Sequence, residues 1–261
     1  MDDRPVQQQV RDGASSDHFG SDYVKWKSWD QFGVLRKSLA RYFAAELARA
    51  GTLPPGARVL EIGFGKGSFL EFARRQGWAV SGTEVNPVLA ELAARSGHDV
   101  QCTSDLSAFP SEHFDLVVAF DVLEHLTHEA IIELLCQVRR MLKDQGVFLA
   151  RFPNGDSPFG LYNQNGDVTH ITAIGSNKVR YLAVTADMRL IWIGGEAMPL
   201  FAVRGIHLVR RAFAIPVRAL MNVFVNAVFF PRRKIDFCAA NLTVVLGKGR
   251  DEPEASAKPA A

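Results

Sequence analysis

Apolar residues recur at helical spacing in the N-terminal part of the chain, at Leu35, Leu39, Phe43 and Leu47. Gly51 and the prolines after it end this run, as is typical of a helix terminus. The pattern predicts a helical N-terminal cap over residues 19–55. The polar, aperiodic residues 1–18 before it are predicted to be disordered.

Beyond residue 56, short apolar runs alternate with amphipathic segments. The runs predict strands at residues 58–62, 79–84, 100–102, 114–120, 147–152, 189–193 and 241–246. The segments between them predict helices at residues 68–76, 87–95, 128–142 and 177–186. Strands alternating with helices are typical of a parallel sheet that has helices on both faces. We therefore predict one α/β domain over residues 56–249, with a seven-stranded, mostly parallel sheet.

Two stretches interrupt this order. Residues 153–175 are rich in glycine, proline, asparagine and aspartate, which predicts a long loop, and such loops in compact domains are usually functional or disordered. Residues 196–235 form an insertion before the last strand, where the sequence predicts a helix that Pro216 kinks or divides. The charged, Ala- and Pro-rich residues 250–261 are predicted to be a disordered tail.

The composition is that of a folded soluble protein, because 48% of the 261 residues are hydrophobic and 22% are charged. This length suits one α/β core with additions. The three cysteines are odd in number and far apart, which argues against a disulfide framework and against a zinc cluster. The first residues carry no signal-peptide pattern, so we expect a cytoplasmic protein.

The sharpest chemical motif directly follows the first predicted strand and reads Glu61-Ile62-Gly63-Phe64-Gly65-Lys66-Gly67. Glycines at such a strand-to-helix turn let the backbone come within contact distance of a ligand, and the next helix directs its amide groups at that ligand. A dinucleotide fingerprint needs its third glycine at position 68, which is Ser68 here. The motif therefore disfavours a nicotinamide cofactor.

Two further carboxylates follow later strands of the predicted sheet. Glu84 ends the second strand, where a carboxylate can accept both hydroxyls of a ribose. Asp105 lies just past the third strand, where it could accept a hydrogen bond from an exocyclic amine. Together with the glycine loop, these positions indicate a nucleotide-type ligand at the carboxyl ends of the strands.

At these residues the chain resembles the class I S-adenosylmethionine-dependent methyltransferases. The resemblance covers residues 56–152, through the motif at 61–67, the strand end at 82–84, the residues 104–106 and the segment 114–126. That last segment resembles the ubiquinone-biosynthesis-type subgroup. The residues 152–159 and 166–170 are similar to methyltransferases of surface polysaccharide biosynthesis. The family implies a Rossmann-like fold and S-adenosylmethionine as the cofactor.

The resemblance also implies roles for single residues. The candidate cofactor-binding residues are Glu61, Gly63, Phe64, Gly65, Gly67, Glu84, Asp105, Leu106 and Phe120. Glu61 and the glycine loop would hold the methionine portion, and Glu84 would take the ribose. Asp105 and Leu106 would take the adenine, and the backbone near Phe120 the amino group. The alternatives are a tight turn without a ligand for the glycines and a solvated loop carboxylate for Asp105.

His170 is the candidate catalytic residue. Methyl transfer is an in-line displacement, so positioning and the exclusion of water contribute most of the catalysis. A hydroxyl acceptor also benefits from a base, which typically contributes about 10²–10⁴ in rate. His170 lies in the loop after the fifth strand, which in an open α/β sheet emerges over the ligand crevice. The alternative is that His170 ties down this loop through Asp167.

Asp121, Glu124 and His125 form a second cluster, with the i,i+3 and i,i+4 spacing of one helix face. In ubiquinone-type O-methyltransferases, Glu, Glu and His at this spacing are associated with a divalent metal, whereas this chain has aspartate at the first position. Carboxylates also stabilise a helix N-terminus without any metal. We therefore expect a helix-stabilising cluster and no metal.

Four aromatic residues crowd the N-terminal region, at Tyr23, Trp26, Trp29 and Phe32. Such a density could form a lid that stacks on cofactor or substrate. A stripe of aromatics that faces the core is the favoured interpretation.

Residues 202–234 contain seven basic residues and no acidic one: Arg204, Arg210, Arg211, Arg218, Arg232, Arg233 and Lys234. On a helix, one face would carry Arg204, Arg211, Arg218, Asn222 and Asn226. The other faces would carry Ile206, Val209, Phe213, Leu220 and Phe224. Three roles stay open: contact with a membrane interface, a homodimerisation arm, and ordinary packing on the sheet. The polar residues disfavour a transmembrane span, and the interleaved apolar surface disfavours nucleic-acid binding.

The sequence thus predicts an S-adenosylmethionine-dependent methyltransferase that acts on an acceptor oxygen. The favoured acceptor is a sugar hydroxyl of a surface or lipid-linked glycan, and the alternative is a quinone or small phenolic metabolite. A catalytically inactive binding protein on the same fold is the third interpretation, because the chemistry needs few side chains. Contact of the basic segment with lipid would place the protein peripherally at the inner membrane surface.

Overall fold

Seven strands form one mixed sheet in the computed structural model, which describes residues 32–200, 205–232 and 234–249. The strands are β1 (Arg58–Ile62), β2 (Ala79–Glu84), β3 (Asp99–Cys102), β4 (Phe114–Phe120), β5 (Leu142–Pro153), β6 (Met188–Gly195) and β7 (Asn241–Lys248). The helices are α1 (Lys37–Leu47), α2 (Ser68–Arg75), α3 (Pro87–Arg95), α4 (His128–Met141), α5 (Leu161–Asn165), α6 (Ser176–Thr185) and α7 (Ile206–Phe229). A 3₁₀ turn at Leu123–His125 lies between β4 and α4.

The strand order is β3-β2-β1-β4-β5-β7-β6. Strands β1 to β5 pair in parallel, and β7 lies antiparallel between β5 and β6. The predicted Rossmann-like, seven-stranded and mostly parallel sheet is confirmed. The strand order reverses direction between β1 and β4. At such a switch point, the loops after the two strands diverge and leave a crevice at the carboxyl edge of the sheet.

Strand β4 shows why the sheet needs helices on both faces. Val117 and Ala119 pack in one apolar cluster with side chains of α4 and α6. Leu116 and Val118, which point to the other face, pack in a second cluster with side chains of α1 and α2. All four side chains are fully buried, so the strand is apolar at every position of this run.

Three elements differ from the sequence prediction. Strand β5 begins at Leu142 and not at residue 147, because Leu142 is buried and pairs with Phe114 although polar residues follow it. The predicted loop 153–175 contains α5 and a bridge between Asn154 and Ile174. Helix α7 continues through Pro216, so the predicted division is wrong.

Several predictions concern residues outside the described ranges. They are the disorder of residues 1–18 and 250–261, the roles of Tyr23, Trp26 and Trp29, and the placement of Arg204 and Arg233. Within the described part of the predicted N-terminal cap, α1 packs its Phe43 and Leu47 against the sheet. The three cysteines are free thiols, and Cys238 is the buried one.

Candidate active site

A cavity of about 1190 Å³ opens at the carboxyl edge of the parallel strands. The loops after β1, β2, β3, β4 and β5 contribute its walls, and α1 contributes Leu39 and Phe43. Pockets for a single small molecule typically measure roughly 300–1,000 Å³. The cavity therefore has room for a cofactor together with an acceptor.

Gly63 allows the loop after β1 to approach the loop after β4. Its φ of 65° lies in the left-handed region, and a β-carbon there would come within 2.7 Å of Cγ2 of Val122. The backbone amides of Gly63 and Phe64 both donate to the carbonyl of Thr83, at 2.8 and 3.2 Å, which fixes the loop to β2. A side chain at position 63 would separate the two loops that form the centre of the cavity.

Gly67 lies outside the cavity lining, unlike Gly63, Phe64 and Gly65. It precedes α2 in a left-handed conformation, and the ring of Phe32 occupies the space that its β-carbon would need. Gly67 therefore shapes the start of the helix, and its predicted role in cofactor binding does not match this position. Phe32 also contacts the ring of Phe64 edge-on at 6.1 Å, which is packing of the kind expected for a core-facing aromatic.

Glu84 joins the end of β2 to the glycine loop. One carboxylate oxygen accepts from the amides of Val85 and Asn86, at 2.8 and 3.0 Å. The other accepts from the amide of Gly65 at 2.9 Å. The side chain is buried at the cavity wall. A carboxylate oxygen has two acceptor positions, so the oxygen that holds Gly65 can also accept from a ribose hydroxyl.

Glu61 is a buried acid at the floor of the cavity. It is 4% exposed, and its Oε2 has no hydrogen-bond partner among the described residues. Burial raises the pKa of Glu61 well above its ordinary value, and the nearby Glu84 raises it further. A buried carboxyl with one unpartnered oxygen beside a cavity fits a ligand that brings a cation or a donor. The methionine portion of S-adenosylmethionine carries such a group.

The predicted adenine residues lie at the mouth of the cavity. Leu106 is buried and lines it, whereas Asp105 is exposed at its rim. Asp105 accepts from the amide and the hydroxyl of Ser107, both at 2.8 Å, and these bonds lower its pKa. The ring of Phe120, also in the lining, packs against Phe43 at a centroid distance of 5.4 Å. Glu61, Glu84 and Leu106 thus all line the same cavity, as expected for the binding site of an adenosyl cofactor.

Asp121 departs from its predicted place. It follows β4 with a φ of 57° and forms two bonds with Arg151, of which Nε to Oδ1 measures 2.9 Å. Arg151 also donates to the hydroxyl of Tyr42 at 2.8 Å, and burial raises the pKa of that phenol. The sequence analysis missed this triad. Its sequence signal is a single arginine near the end of the apolar strand β5.

Glu124, His125 and His170 come together at the acceptor side of the cavity. Nε2 of His170 lies 3.8 Å from Oε1 of Glu124 and 3.8 Å from Oδ2 of Asp167. The two imidazole rings meet edge-on at 4.6 Å. Glu124 is 1% exposed and neither of its carboxylate oxygens has a hydrogen-bond partner among the described residues. Desolvation by burial raises the pKa of Glu124 well above its ordinary value.

The metal set implied by the ubiquinone-type resemblance does not fit this geometry, because the carboxylate of Asp121 is paired with Arg151. The residues that could hold a cation are instead Glu124, His125 and His170, whose ligand atoms lie within 4.8 Å of one another. Asp121 and Glu124 also precede α4, whose N-cap is Thr127. Their expected role in stabilising a helix N-terminus stays a prediction.

Backbone and hydroxyl hydrogen bonds from other residues hold the loop that carries His170. The amides of Ile171 and Thr172 donate to the carbonyl of Glu124, at 2.9 and 3.1 Å. The hydroxyl of Thr172 donates to the carbonyl of Leu126 at 2.6 Å. Nδ1 of His170 has no hydrogen-bond partner among the described residues. His170 also lies near Asp167, so a catalytic role and a role in tying down the loop both remain predictions.

Comparisons with known proteins identify the family of this chain. Residues 35–197 match the model of a family described as "Methyltransferase domain". Over 125 residues, 46% of this chain and 48% of the relative, it is 32% identical to a ubiquinone biosynthesis O-methyltransferase of Bradyrhizobium diazoefficiens. Over 160 residues, 57% of this chain and 56% of the relative, it is 30% identical to one of Rhodopseudomonas palustris. The chain thus spans about half the length of these curated relatives.

Among solved structures, a SAM-dependent methyltransferase from Archaeoglobus fulgidus has the same fold. It superposes with a TM-score of 0.57 at 21% sequence identity, covering 80% of this chain and 91% of that one.

Proposed function

The chain belongs to the methyltransferase domain family, and from this premise we propose that it transfers a methyl group from S-adenosylmethionine to an acceptor oxygen. The observation that carries the proposal is the cavity, in which the unpartnered Glu61 and the loop-binding Glu84 lie beside the glycine loop. When bound, the cofactor supplies a methyl group on a sulfonium centre. Glu61, Glu84 and the glycine loop would hold the cofactor, and the acceptor oxygen would take the methyl group with S-adenosylhomocysteine as the product that leaves.

The side chains of this protein position the reactants and exclude water from the reacting centre. Phe43 from α1 and Phe120 from the end of β4 form an apolar wall near the glycine loop, which excludes water from the reacting centre. The Arg151 guanidinium, whose carbon lies 5.6 Å from the ring centroid of Phe120, fixes that wall from the side of β5. Such an arrangement suits an in-line displacement, for which geometry is the main requirement.

His170 takes the proton of the acceptor hydroxyl in this proposal. Its Nδ1 has no hydrogen-bond partner among the described residues, whereas Nε2 faces the carboxyl of Glu124 at 3.8 Å. The imidazole of His170 is the group that would accept the proton, and the carboxyl of Glu124 would stabilise the imidazolium that results.

The acceptor class that we propose first is the phenolic hydroxyl of a quinone precursor. It is supported by the curated relatives, which are named ubiquinone biosynthesis O-methyltransferases. A sugar hydroxyl of a lipid-linked glycan, which the sequence analysis favoured, stands second because it is supported by the loop motifs at 152–159 and 166–170 alone. Both acceptors offer a hydroxyl proton to His170.

Methyl transfer from labelled S-adenosylmethionine tests the proposal, with a prenylated catechol and a lipid-linked oligosaccharide fraction as acceptors. We expect label in the catechol and binding of S-adenosylhomocysteine in a calorimetric titration. Label in the oligosaccharide alone would reverse the order of the two acceptor classes. Binding without transfer to either would support a catalytically inactive protein, and no binding would refute the cofactor assignment.

His170→Ala tests the base. We expect turnover to fall by about 10²–10⁴, with unchanged affinity for S-adenosylhomocysteine. His128→Ala is the matched control, because His128 is exposed at the start of α4 and outside the cavity lining. Equal turnover of the two variants would show that His170 is structural. Loss of wild-type turnover with a chelator, restored by Zn²⁺ or Mg²⁺, would make the same residues metal ligands.

A further inference from the structure

Helix α7 is inverted relative to an ordinary surface helix, because one polar face of it, formed by Arg211, Arg218, Asn222 and Asn226, is turned toward the protein. Arg211 donates to the carbonyl of Pro199 at 2.9 Å, and Arg218 donates to Sδ of Met198 and to the carbonyl of Cys238. A helix on a globular protein usually buries its apolar stripe and exposes its polar one.

Two asparagines continue these contacts along the same face. Asn222 donates to Oδ1 of Asp236 and accepts from the amide of Cys238, both at 2.9 Å. Asn226 donates to the carbonyl of Ile235 and accepts from its amide, both at 2.8 Å. The polar face is therefore hydrogen-bonded to the body of the protein over four turns.

The opposite face presents large apolar side chains to solvent. Phe213 is 72% exposed, Leu220 is 71% exposed and Phe224 is 61% exposed. Ile206 and Val209 lie on the same face and are equally open. A contiguous apolar strip of this kind on a soluble protein marks a surface that contacts a membrane or another molecule.

The charges around this apolar strip indicate which kind of partner it contacts. Arg210, Arg232 and Lys234 are exposed at or near the ends of α7, and the sequence 202–234 contains no acidic residue. Anionic lipid headgroups complement that charge. A second copy of this chain would bring two positively charged segments together, which is unfavourable.

We propose that α7 lies flat in the interface of an anionic membrane, with Phe213, Leu220 and Phe224 in the acyl boundary. The segment Leu208–Phe229 is long and apolar enough to span a bilayer. Crossing would break the contacts of its polar face and would expose Arg218 and two asparagines to hydrocarbon, which is costly. Lying flat keeps those contacts and buries the apolar strip. This docking does not depend on the identity of the methyl acceptor.

The contacts below α7 connect it to the acceptor side of the cavity. The carbonyl of Asp236 accepts from the side-chain amide of Asn154 at 2.7 Å, and the ring of Phe237 meets Phe159 at 6.0 Å. β7 then begins at Asn241, whose side chain accepts from Asn163 of the cavity wall at 2.8 Å. Docking through α7 would therefore hold that wall close to the lipid surface.

Vesicle co-sedimentation of the full chain tests the proposal, with phosphatidylcholine vesicles that contain or lack phosphatidylglycerol. We expect binding to the anionic vesicles that weakens in high salt. The triple variant Phe213→Ser, Leu220→Ser, Phe224→Ser should bind roughly tenfold more weakly or worse. A control variant carries Tyr181→Ser, Val184→Ser and Ile191→Ser, exposed apolar positions away from α7, and should bind as wild type does.

Three outcomes would overturn the proposal. One is equal binding of the two triple variants to anionic vesicles. Another is retention of the protein in vesicles after alkaline carbonate extraction, which would indicate a transmembrane helix. The third is a dimer in sedimentation velocity that the α7 variant alone dissociates, in the absence of vesicle binding. Binding of S-adenosylhomocysteine by each variant verifies that it is folded, so failure of docking is separable from failure of the methyltransferase assignment.

Discussion

Replacing Glu84 by glutamine should damage both the stability of the protein and its affinity for the cofactor. The carboxylate of Glu84 accepts three backbone hydrogen bonds, from Gly65, Val85 and Asn86. A glutamine amide has one oxygen, so its nitrogen must face the amide of Gly65 or those of Val85 and Asn86. The side-chain NH₂ group of the glutamine then faces a backbone N–H group, and two buried donors are left without an acceptor.

The magnitude follows from the type of bond that is lost. A hydrogen bond to a charged group contributes about 1.5–3 kcal/mol, and a buried donor left without an acceptor adds to the cost. We expect the free energy of unfolding of Glu84→Gln to fall by about 2–4 kcal/mol. Because the glycine loop loses its anchor to β2 and the ribose loses an acceptor, the affinity for S-adenosylhomocysteine should fall by about 10–100-fold.

Urea unfolding and isothermal titration measure the two effects on the same samples. Glu91→Gln is the matched control, because Glu91 lies exposed on α3 and forms a surface pair with Arg95 at 2.6 Å. Such pairs contribute about 0.3–0.5 kcal/mol, so this variant should resemble wild type in both assays. If Glu84→Gln matched Glu91→Gln in urea midpoint and in affinity, the anchoring role of Glu84 would be refuted.

Two further predictions concern the same loop. Burial raises the pKa of Glu61, so between its unfolded and folded pKa values the native state holds more protons and stability falls as the pH rises. Glu61→Gln should flatten that slope in urea midpoints measured above the ordinary pKa of a glutamate, and an unchanged slope would contradict the argument. Gly63→Ala should lose about 2–4 kcal/mol, from its left-handed φ and the 2.7 Å approach to Val122. Adding Val122→Ala should restore only the stability that the steric clash removed. If the double variant is no more stable than Gly63→Ala, the clash does not contribute to the loss.

The parallel sheet could be predicted from the sequence because its strands are signalled locally. The predicted bounds of β1, β2 and β4 are those observed, 58–62, 79–84 and 114–120, since each strand is a short apolar run ended by a glycine or a carboxylate. The glycine loop and the acids at Glu61 and Glu84 could be located in the same way. Their positions follow from strand ends, which all meet at one edge of a parallel sheet.

The cluster of Glu124, His125 and His170 could not be predicted from spacing. Asp121, Glu124 and His125 would share one face of a helix, but the chain forms a strained residue and a 3₁₀ turn there. Asp121 therefore turns to Arg151, thirty residues away in sequence, and Glu124 meets His170 from a different loop. Contacts between loops depend on how the strands bring them together, which local periodicity does not contain.

Helix α7 shows most clearly what the sequence determined and what the tertiary structure determined. The sequence alone sorted its residues, with Arg211, Arg218, Asn222 and Asn226 on one face and the large apolar side chains on the others. The tertiary structure alone decided which face turns inward, through partners such as Asp236 and Cys238. The reason is that periodicity defines faces relative to one another, whereas burial depends on the surface that each face meets. Here the polar face meets hydrogen-bond partners that offset its desolvation, and the apolar face is left to the solvent side.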